Sequence, residues 1–583
     1  MKKVILFFSL LLTAVCAQAV KVNPEPAVIT QSDGTRLTVY AYGDADFHWY
    51  TTADGTLLYH EGTNYYVADV TADGVLRRTP VLAHEPSLRS AEEVRLAQAQ
   101  NRKLFTKRME AKLEAARKIS IGTNSRYFPH TGSPKALVIL VNFADTTFAE
   151  ADPVKTFDQY LNSTLDNGKL ENFGNREDRN YGSVRSYFKD MSFGLFTPQF
   201  DIVGPVTMPQ GLAYYGSDND AKVGEMMTTA CQLVDDKVDF ASYDSDNDGY
   251  VDLVYFIYAG YSESLQQNSS DCIWPKSGTM NIGTFDGKQV WRYGVNNELN
   301  GYPGAFKTAP AKRINGIGLF CHEFSHTMGL PDIYPTTASA RVDNQAMEYW
   351  DIMDGGEYLD NGWCPTPYTP WEREVMGWMK MDTLSKAQYL ELTPVQQGGK
   401  AYKILGENGE YLILENIQKT GWNQRQHGHG LLVYRIDYPY SSVNLMDSPN
   451  NNKGKPAVTI VPADGLLISS YSINGTTVTN TDYINSLGGD PYPGTGNVTE
   501  LTSVKLNNST LTTAPLYNIA EDTEAGLVTL SFIDPNATAI KSIATHSEAN
   551  GRIYTVDGRY AGNTTNQLPR GLYIKDGKKI VIK

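Results

Sequence analysis

His322-Glu323-Phe324-Ser325-His326-Thr327-Met328-Gly329-Leu330-Pro331-Asp332, or HEFSHTMGLPD, is the stretch that decides how this chain is read. Two histidines four positions apart on a helix leave one face about 6 Å apart, so both imidazoles can bind a single Zn²⁺. Glu323 follows the first histidine and lies beside that metal, placed to take a proton from a water on the ion instead of ligating it. Gly329 can adopt a positive φ and turn the chain sharply out of the helix. Pro331 stiffens the return, which makes Asp332 the expected third ligand, with Asp351, Asp354 and Glu357 as the other carboxylates to consider. Ile317, Phe320, Phe324 and Met328 recur at helical spacing, so a helix over about 315–328 should turn this stripe to a core.

A bare HExxH arises by chance; the extended pattern is far more specific. HExxHxxGxxD resembles the zinc signature of the metzincin peptidases, with an aspartate where most of them carry a third histidine. Trp350-Asp351-Ile352-Met353-Asp354 resembles their Met-turn, which implies that Met353 forms a hydrophobic floor beneath the metal without ligating it. The chain as a whole is similar to immune inhibitor A-like secreted metallopeptidases. SVRSYFKDMSFG (183–194), DSDNDGYVDLVYFIYAG (244–260), PTPYTPWEREVMGW (365–378), YLILEN (411–416) and GLLVYRIDY (430–438) carry that likeness. It implies a zinc endopeptidase made as a latent precursor and acting on protein or peptide substrates. A vestigial catalytic fold on a cell-surface adhesion or glycan-binding protein is the alternative, and intact Glu323, His322 and His326 argue against it.

With 583 residues, 41% apolar and 20% charged, the chain is a multidomain globular protein. A net charge of −14 argues against a nucleic-acid or anionic-membrane partner. Residues 1–19 read as a signal peptide: Lys2 and Lys3, an apolar stretch from Val4 to Val15, then the small-x-small pattern Ala17-Gln18-Ala19. Val15 sits where a lipobox before Cys16 needs a small residue. No later stretch is long enough to span a membrane, so a secreted or cell-surface protein is expected. Cys231, Cys272, Cys321 and Cys364 then remain, as one or two disulfides or as free buried thiols.

The expected fold is multidomain: an α/β metzincin-like catalytic domain, preceded by an α+β propeptide and followed by a β-sandwich and a short β-rich tail. Between 20 and 83, alternating runs punctuated by Asp33-Gly34, Asp54-Gly55 and Asp73-Gly74 predict β-hairpins. A charged helix over about 90–118 follows, opened by the capping box Ser90 and Glu93. A polar linker flanked by Arg117 and Arg126 suits proteolytic release. By the resemblance, residues 20–130 are a propeptide. No cysteine lies between Val20 and Ala230, so latency would need a carboxylate, such as those of Gly43-Asp44-Ala45-Asp46, a carbonyl or steric cover. The catalytic domain is assigned to 131–382, with core strands at Ala136–Phe143 and Leu253–Tyr258 and helices around 184–190 and 223–237. Beyond about Thr383 helical periodicity disappears, giving a β-sandwich over 383–538. Residues 541–583 resemble the β-rich tails of proteins exported by Bacteroidota and form either a sorting signal for export machinery or a cap.

A second metal loop is legible at Asp244-Ser245-Asp246-Asn247-Asp248-Gly249-Tyr250-Val251-Asp252. Carboxylates of Asp244, Asp246, Asp248 and Asp252 with the Tyr250 carbonyl suit structural Ca²⁺, and Gly249 allows the tight turn. Position twelve is Tyr255, so this is no EF-hand. His427 and His429 lack clustered partners and read as a polar turn.

Overall fold

The computed structural model describes residues 16–19, 22–23, 26–43, 48–108, 127–164, 180–265, 267–307, 310–337, 340, 346–439, 443, 447–467, 480–537, 553–555, 559–562, 564–565, 568–575 and 578–582. Lys135–Asn142 lies inside its main sheet, and its sequence explains why. Ala136, Val138 and Leu140 face one core, Leu137, Ile139 and Val141 the other, all fully buried. A strand buried on both faces needs this continuous apolar run. Val254–Tyr258 and Gln199–Thr207 flank it in parallel register, and Lys288–Asn297 lies parallel to Val254–Tyr258 on its outer side. Lys276–Phe285 is antiparallel to Lys288–Asn297, and Cys16–Ala19 pairs antiparallel to it in turn.

The helix Ile317–Thr327 lies on one face of this sheet, with Val184–Met191 and Pro153–Asn162. Ile317, Phe320, Phe324 and Met328 enter that core, as their spacing predicts. The helix Val223–Val234 covers the other face.

Ahead of this body, Ala27–Thr30, Arg36–Gly43, His48–Thr51, Leu57–Glu61, Asn64–Val70 and Leu76–Leu82 form an antiparallel meander. Gly34, Gly55 and Gly74 all take positive φ in its turns. Its core, including Leu37, Val39, Tyr50 and Tyr65, closes over Trp274 and Leu319 of the catalytic region. The charged helix opens with the predicted capping box but runs only over Ala91–Ala99 before breaking. Gln100 turns extended there and spends its amide on the meander, bonding the Leu57 N–H, the Leu57 carbonyl and the Ala68 carbonyl. These tertiary bonds outweigh one more helical turn. The helix resumes at Arg102, and residues 109–126, with Arg117 and Arg126, lie outside the described residues.

After Met381 the chain builds a five-stranded sheet from Asp382–Leu384, Tyr402–Leu405, Tyr411–Ile417, Gly430–Ile436 and Val458–Ile460. Ile413, Leu432, Tyr434 and Ile436 face the catalytic core, while Leu412, Leu414, Leu431 and Val433 face a three-stranded sheet of Gln388–Leu392, Leu527–Phe532 and Leu516–Asp522. This region is not free of helix: Asn480–Gly489 is helical, seating Tyr483 and Leu487 in the catalytic core. Ten residues with two apolar anchors carry too weak a period to stand out. The tail forms a separate four-stranded sheet from Ile553 to Ile582. Cys231, Cys272, Cys321 and Cys364 are free thiols, three of them buried.

Candidate metal centre and active site

Gly316 opens the HExxH helix, whose first N–H, on Ile317, is received by Asn180. Gly329 ends it at φ +105°, and a side chain there would strike the Tyr127 ring at 3.0 Å. The chain then returns through Leu330 and Pro331, and Asp332, almost fully buried, faces both imidazoles. His322 Nε2 and His326 Nε2 lie 3.2 Å apart, and Asp332 Oδ1 lies 3.3 Å from each.

Each imidazole is oriented through its other nitrogen. His326 Nδ1 meets the Leu330 carbonyl at 2.7 Å; His322 Nδ1 meets the Ile352 carbonyl at 2.8 Å and Glu357 Oε2 at 2.6 Å. With Nδ1 thus engaged as the donor, each Nε2 lone pair points into the triangle. Burial opposes charge on His322, but Glu357 and Asp332 beside it prevail and hold it well above its ordinary value. Burial likewise opposes ionisation of Asp332, and the two imidazoles hold it below the usual carboxylate range. The chemistry of this donor set fits zinc. Tetrahedral bonds of about 2.0–2.1 Å would separate neighbouring ligand atoms by roughly 3.3 Å, which matches all three edges.

Glu323 is buried one position along the helix from His322. Burial pushes the Tyr255 and Tyr358 phenols well up, with Glu323 adding to that at Tyr255 and Glu357, then Glu323, at Tyr358, so both keep their protons. Met353 is fully buried, and its carbonyl receives the Ile333 N–H at 2.9 Å, so the WDIMD turn braces both His322 and the Asp332 loop. The other carboxylates turn elsewhere. Asp351 accepts the Met353 N–H, and Asp354 accepts those of Met347 and Glu348. A cavity of about 480 Å³, lined by Leu319, Asn297, Tyr349, Glu357, Tyr358 and His427 among others, reaches His322 from its Glu357 side and is not lined by the triangle itself.

Residues 126–381 match the immune inhibitor A peptidase M6 catalytic-domain family. The matched segment thus begins just before Tyr127 and Phe128, which pack against the end of the HExxH helix, and ends as the five-stranded sheet begins. The pre-pro-metalloprotease PrtV of Vibrio cholerae serotype O1 is 23% identical over 273 residues, covering 42% of this chain and 29% of PrtV. Immune inhibitor A of Bacillus thuringiensis subsp. alesti is 24% identical over 277 residues, covering 41% of this chain and 39% of that protein. The chain therefore spans well under half the length of these curated relatives.

In the second loop, Asp244, Asp246 and Asp248 bring carboxylate oxygens within 4.8 Å of one another. Their charge is met internally. Asp244 accepts the N–H groups of Asp248 and Gly249, Asp246 that of Asp248, and Asp248 that of Tyr250. Asp252 accepts the Ser245 N–H, and Tyr250 starts a two-residue strand beside Gln289. Lys288 places its ammonium 2.6 Å from Asp244, a partner not legible in the sequence because it lies 44 residues away. His429 pairs with Glu521 at 2.8 Å, and His427 rests its ring on Tyr349; neither belongs to a metal cluster among the described residues.

Proposed function

We propose that this chain is a secreted zinc-dependent endopeptidase made as a latent precursor. The observation that carries the reading is the buried triangle of His322 Nε2, His326 Nε2 and Asp332 Oδ1, with edges of 3.2–3.3 Å. Zinc held there supplies Lewis acidity toward a water and toward the scissile carbonyl. Glu323 takes the proton of the attacking water and then gives it to the leaving amine. His322 and His326, each fixed through its Nδ1 contact, would hold the ion through Nε2, and Asp332 would complete the set and balance charge. Peptides and proteins are the substrate class.

Latency is supported by how the N-terminal block sits. Its core includes Leu319 of the HExxH helix; Asn23 N–H bonds the Ser264 carbonyl at 3.2 Å, and His48 meets Glu263 at 3.3 Å, both nearly buried. The turn from Asp44 to Asp46, a candidate inhibitory carboxylate, falls outside the described residues. We read residues 1–19 as a signal peptide and move the propeptide's end from the expected 130 back to Arg126, so that the fully buried Phe128 stays with the enzyme. Residues 383–538 serve as a β-sandwich brace and 541–583 as a sorting or capping tail. Asp244, Asp246, Asp248, Asp252 and the Tyr250 carbonyl form a structural Ca²⁺ loop. Among the described residues no helix is long and apolar enough to cross a membrane.

The deciding experiment measures zinc content and casein cleavage of protein starting at Val20 and of protein trimmed at Arg126. One zinc per chain, with much higher activity after trimming, is expected. Equal activities would make the N-terminal block an accessory domain, and zinc-free, inactive protein would end the peptidase reading.

A further inference from the structure

Asp332 stands on a loop whose backbone is fixed from two sides. Its neighbour Ile333 gives its N–H to the Met353 carbonyl, and the Ile333 carbonyl accepts a hydrogen bond from Asn450 Nδ2 at 2.6 Å. Asn450 is completely buried and donates its other Nδ2 hydrogen to the Val458 carbonyl at 2.7 Å. Its Oδ1 accepts the N–H groups of Ala457 and Val458 at 2.7 and 2.9 Å. An asparagine amide has two donor hydrogens and two acceptor lone pairs. Here all four are used, three toward the strand Val458–Ile460 and one on the loop that carries the third ligand.

The next residue extends the grip. Asn451 Oδ1 accepts the N–H groups of Thr336 and Thr337 at 2.7 and 2.9 Å, and its Nδ2 donates to Thr336 Oγ1 at 2.6 Å. Two consecutive asparagines in the short turn Pro449–Asn451 therefore hold residues 333–337, directly after Asp332. That turn lies beyond the segment 126–381 that matches the peptidase family. The strand it anchors pairs with Gly430–Ile436, whose Tyr434 and Ile436 are embedded in the catalytic core.

A carboxylate on an exit loop has no regular hydrogen-bond ladder to fix it, and a ligand displaced by a fraction of an ångström weakens its site. We propose that Asn450, assisted by Asn451, is a positioning residue for the metal centre, tying the Asp332 loop to the edge of the C-terminal sheet. The inference rests on the zinc reading above. Asn450 touches neither substrate nor metal; it acts through Ile333 on Asp332. It also makes the C-terminal sheets part of the enzyme's working unit.

Asn450→Asp keeps the side chain's shape but sets an oxygen against the carbonyls of Ile333 and Val458. Asn451→Ala removes the second clamp. Val528→Ala, in the separate core between the two C-terminal sheets, is the control for general loss of stability. Each is made in the full chain, with N-terminal and C-terminal residues retained. Zn²⁺ dissociation constants are read by competition with a chromophoric chelator, Co²⁺-loaded protein by its visible spectrum, and metal-free protein by its melting temperature. Asn450→Asp should weaken zinc about ten- to a hundredfold and alter the cobalt bands; Asn451→Ala should weaken it severalfold. Val528→Ala should melt earlier with unchanged zinc affinity and spectrum. Wild-type affinity and spectrum in folded Asn450→Asp would overturn the proposal, as would a loss no greater than that of Val528→Ala. Should Asn450→Asp not fold, Asn451→Ala decides by the same readings. If the parent enzyme itself binds no zinc, the metal assignment fails first, an outcome visible before any variant is compared.

Discussion

His322, His326 and Asp332 on one side and Asp244, Asp246 and Asp248 on the other both gather metal-binding groups, yet they treat their own charge in opposite ways. In the first cluster the outward atoms are engaged: His322 Nδ1 by Ile352 and Glu357, His326 Nδ1 by Leu330. The inward atoms face one another in a buried triangle, and Asp332 Oδ1 has no hydrogen-bond donor of its own. Such an arrangement is costly unless a cation fills it. In the second cluster the carboxylates already accept N–H groups of their own loop, and the Lys288 ammonium sits on Asp244. Two candidate sites visible in one sequence are therefore not equivalent: the first turns its free ligand atoms inward on one another, whereas the second already carries an ammonium on Asp244 with which a Ca²⁺ ion would compete.

Chelation tests this contrast with the largest expected effect. Removing zinc should abolish peptidase activity, and Zn²⁺ but not Ca²⁺ should restore it. Restoration by Ca²⁺ alone would reverse the roles of the two sites. Glu323→Gln comes next. It keeps size and hydrogen bonding but not the base, so activity should fall by roughly 10²–10⁴ while zinc content and melting temperature stay near wild type; normal turnover would remove Glu323 from the chemistry.

At the loop the effects are smaller. Lys288→Ala removes the internal competitor, and a calorimetric titration should show Ca²⁺ binding severalfold tighter than in wild type. Weaker binding would mean that Lys288 organises the loop instead of competing for it. Smallest is the thermal effect of calcium. Ca²⁺ should raise the melting temperature by a few degrees, and Asp246→Ala with Asp248→Ala should cancel that rise without touching zinc-dependent activity. A calcium response surviving in the double variant would place the ion elsewhere.

The gathering of the candidate metal ligands was legible because they lie close in sequence. His322, His326, Gly329 and Asp332 fall within eleven residues, so helical periodicity and one tight turn bring them together without knowledge of the fold. The buried strand Lys135–Asn142 was legible for a similar reason, since a continuous β-branched run has few other places to go. What escaped depends on distant partners. Glu357 could be counted as a rival zinc ligand, but that it meets Nδ1 of His322 and not Nε2 is set by the turn after Met353. Lys288 reaches Asp244 only because two strands pair. The break at Gln100 arises from tertiary bonds to Leu57 and Ala68 that no helix propensity contains. The helix Asn480–Gly489 is held by Tyr483 and Leu487 in a core built by residues far upstream.

Diffraction at the zinc absorption edge on crystals of the trimmed enzyme tests the central claim most directly. A single strong anomalous peak should lie between His322 Nε2, His326 Nε2 and Asp332 Oδ1, with Glu323 alongside and Glu357 on the far side of the His322 ring. A peak ligated by Glu357 in place of Asp332, or zinc found only at the Asp244 loop, would contradict the account.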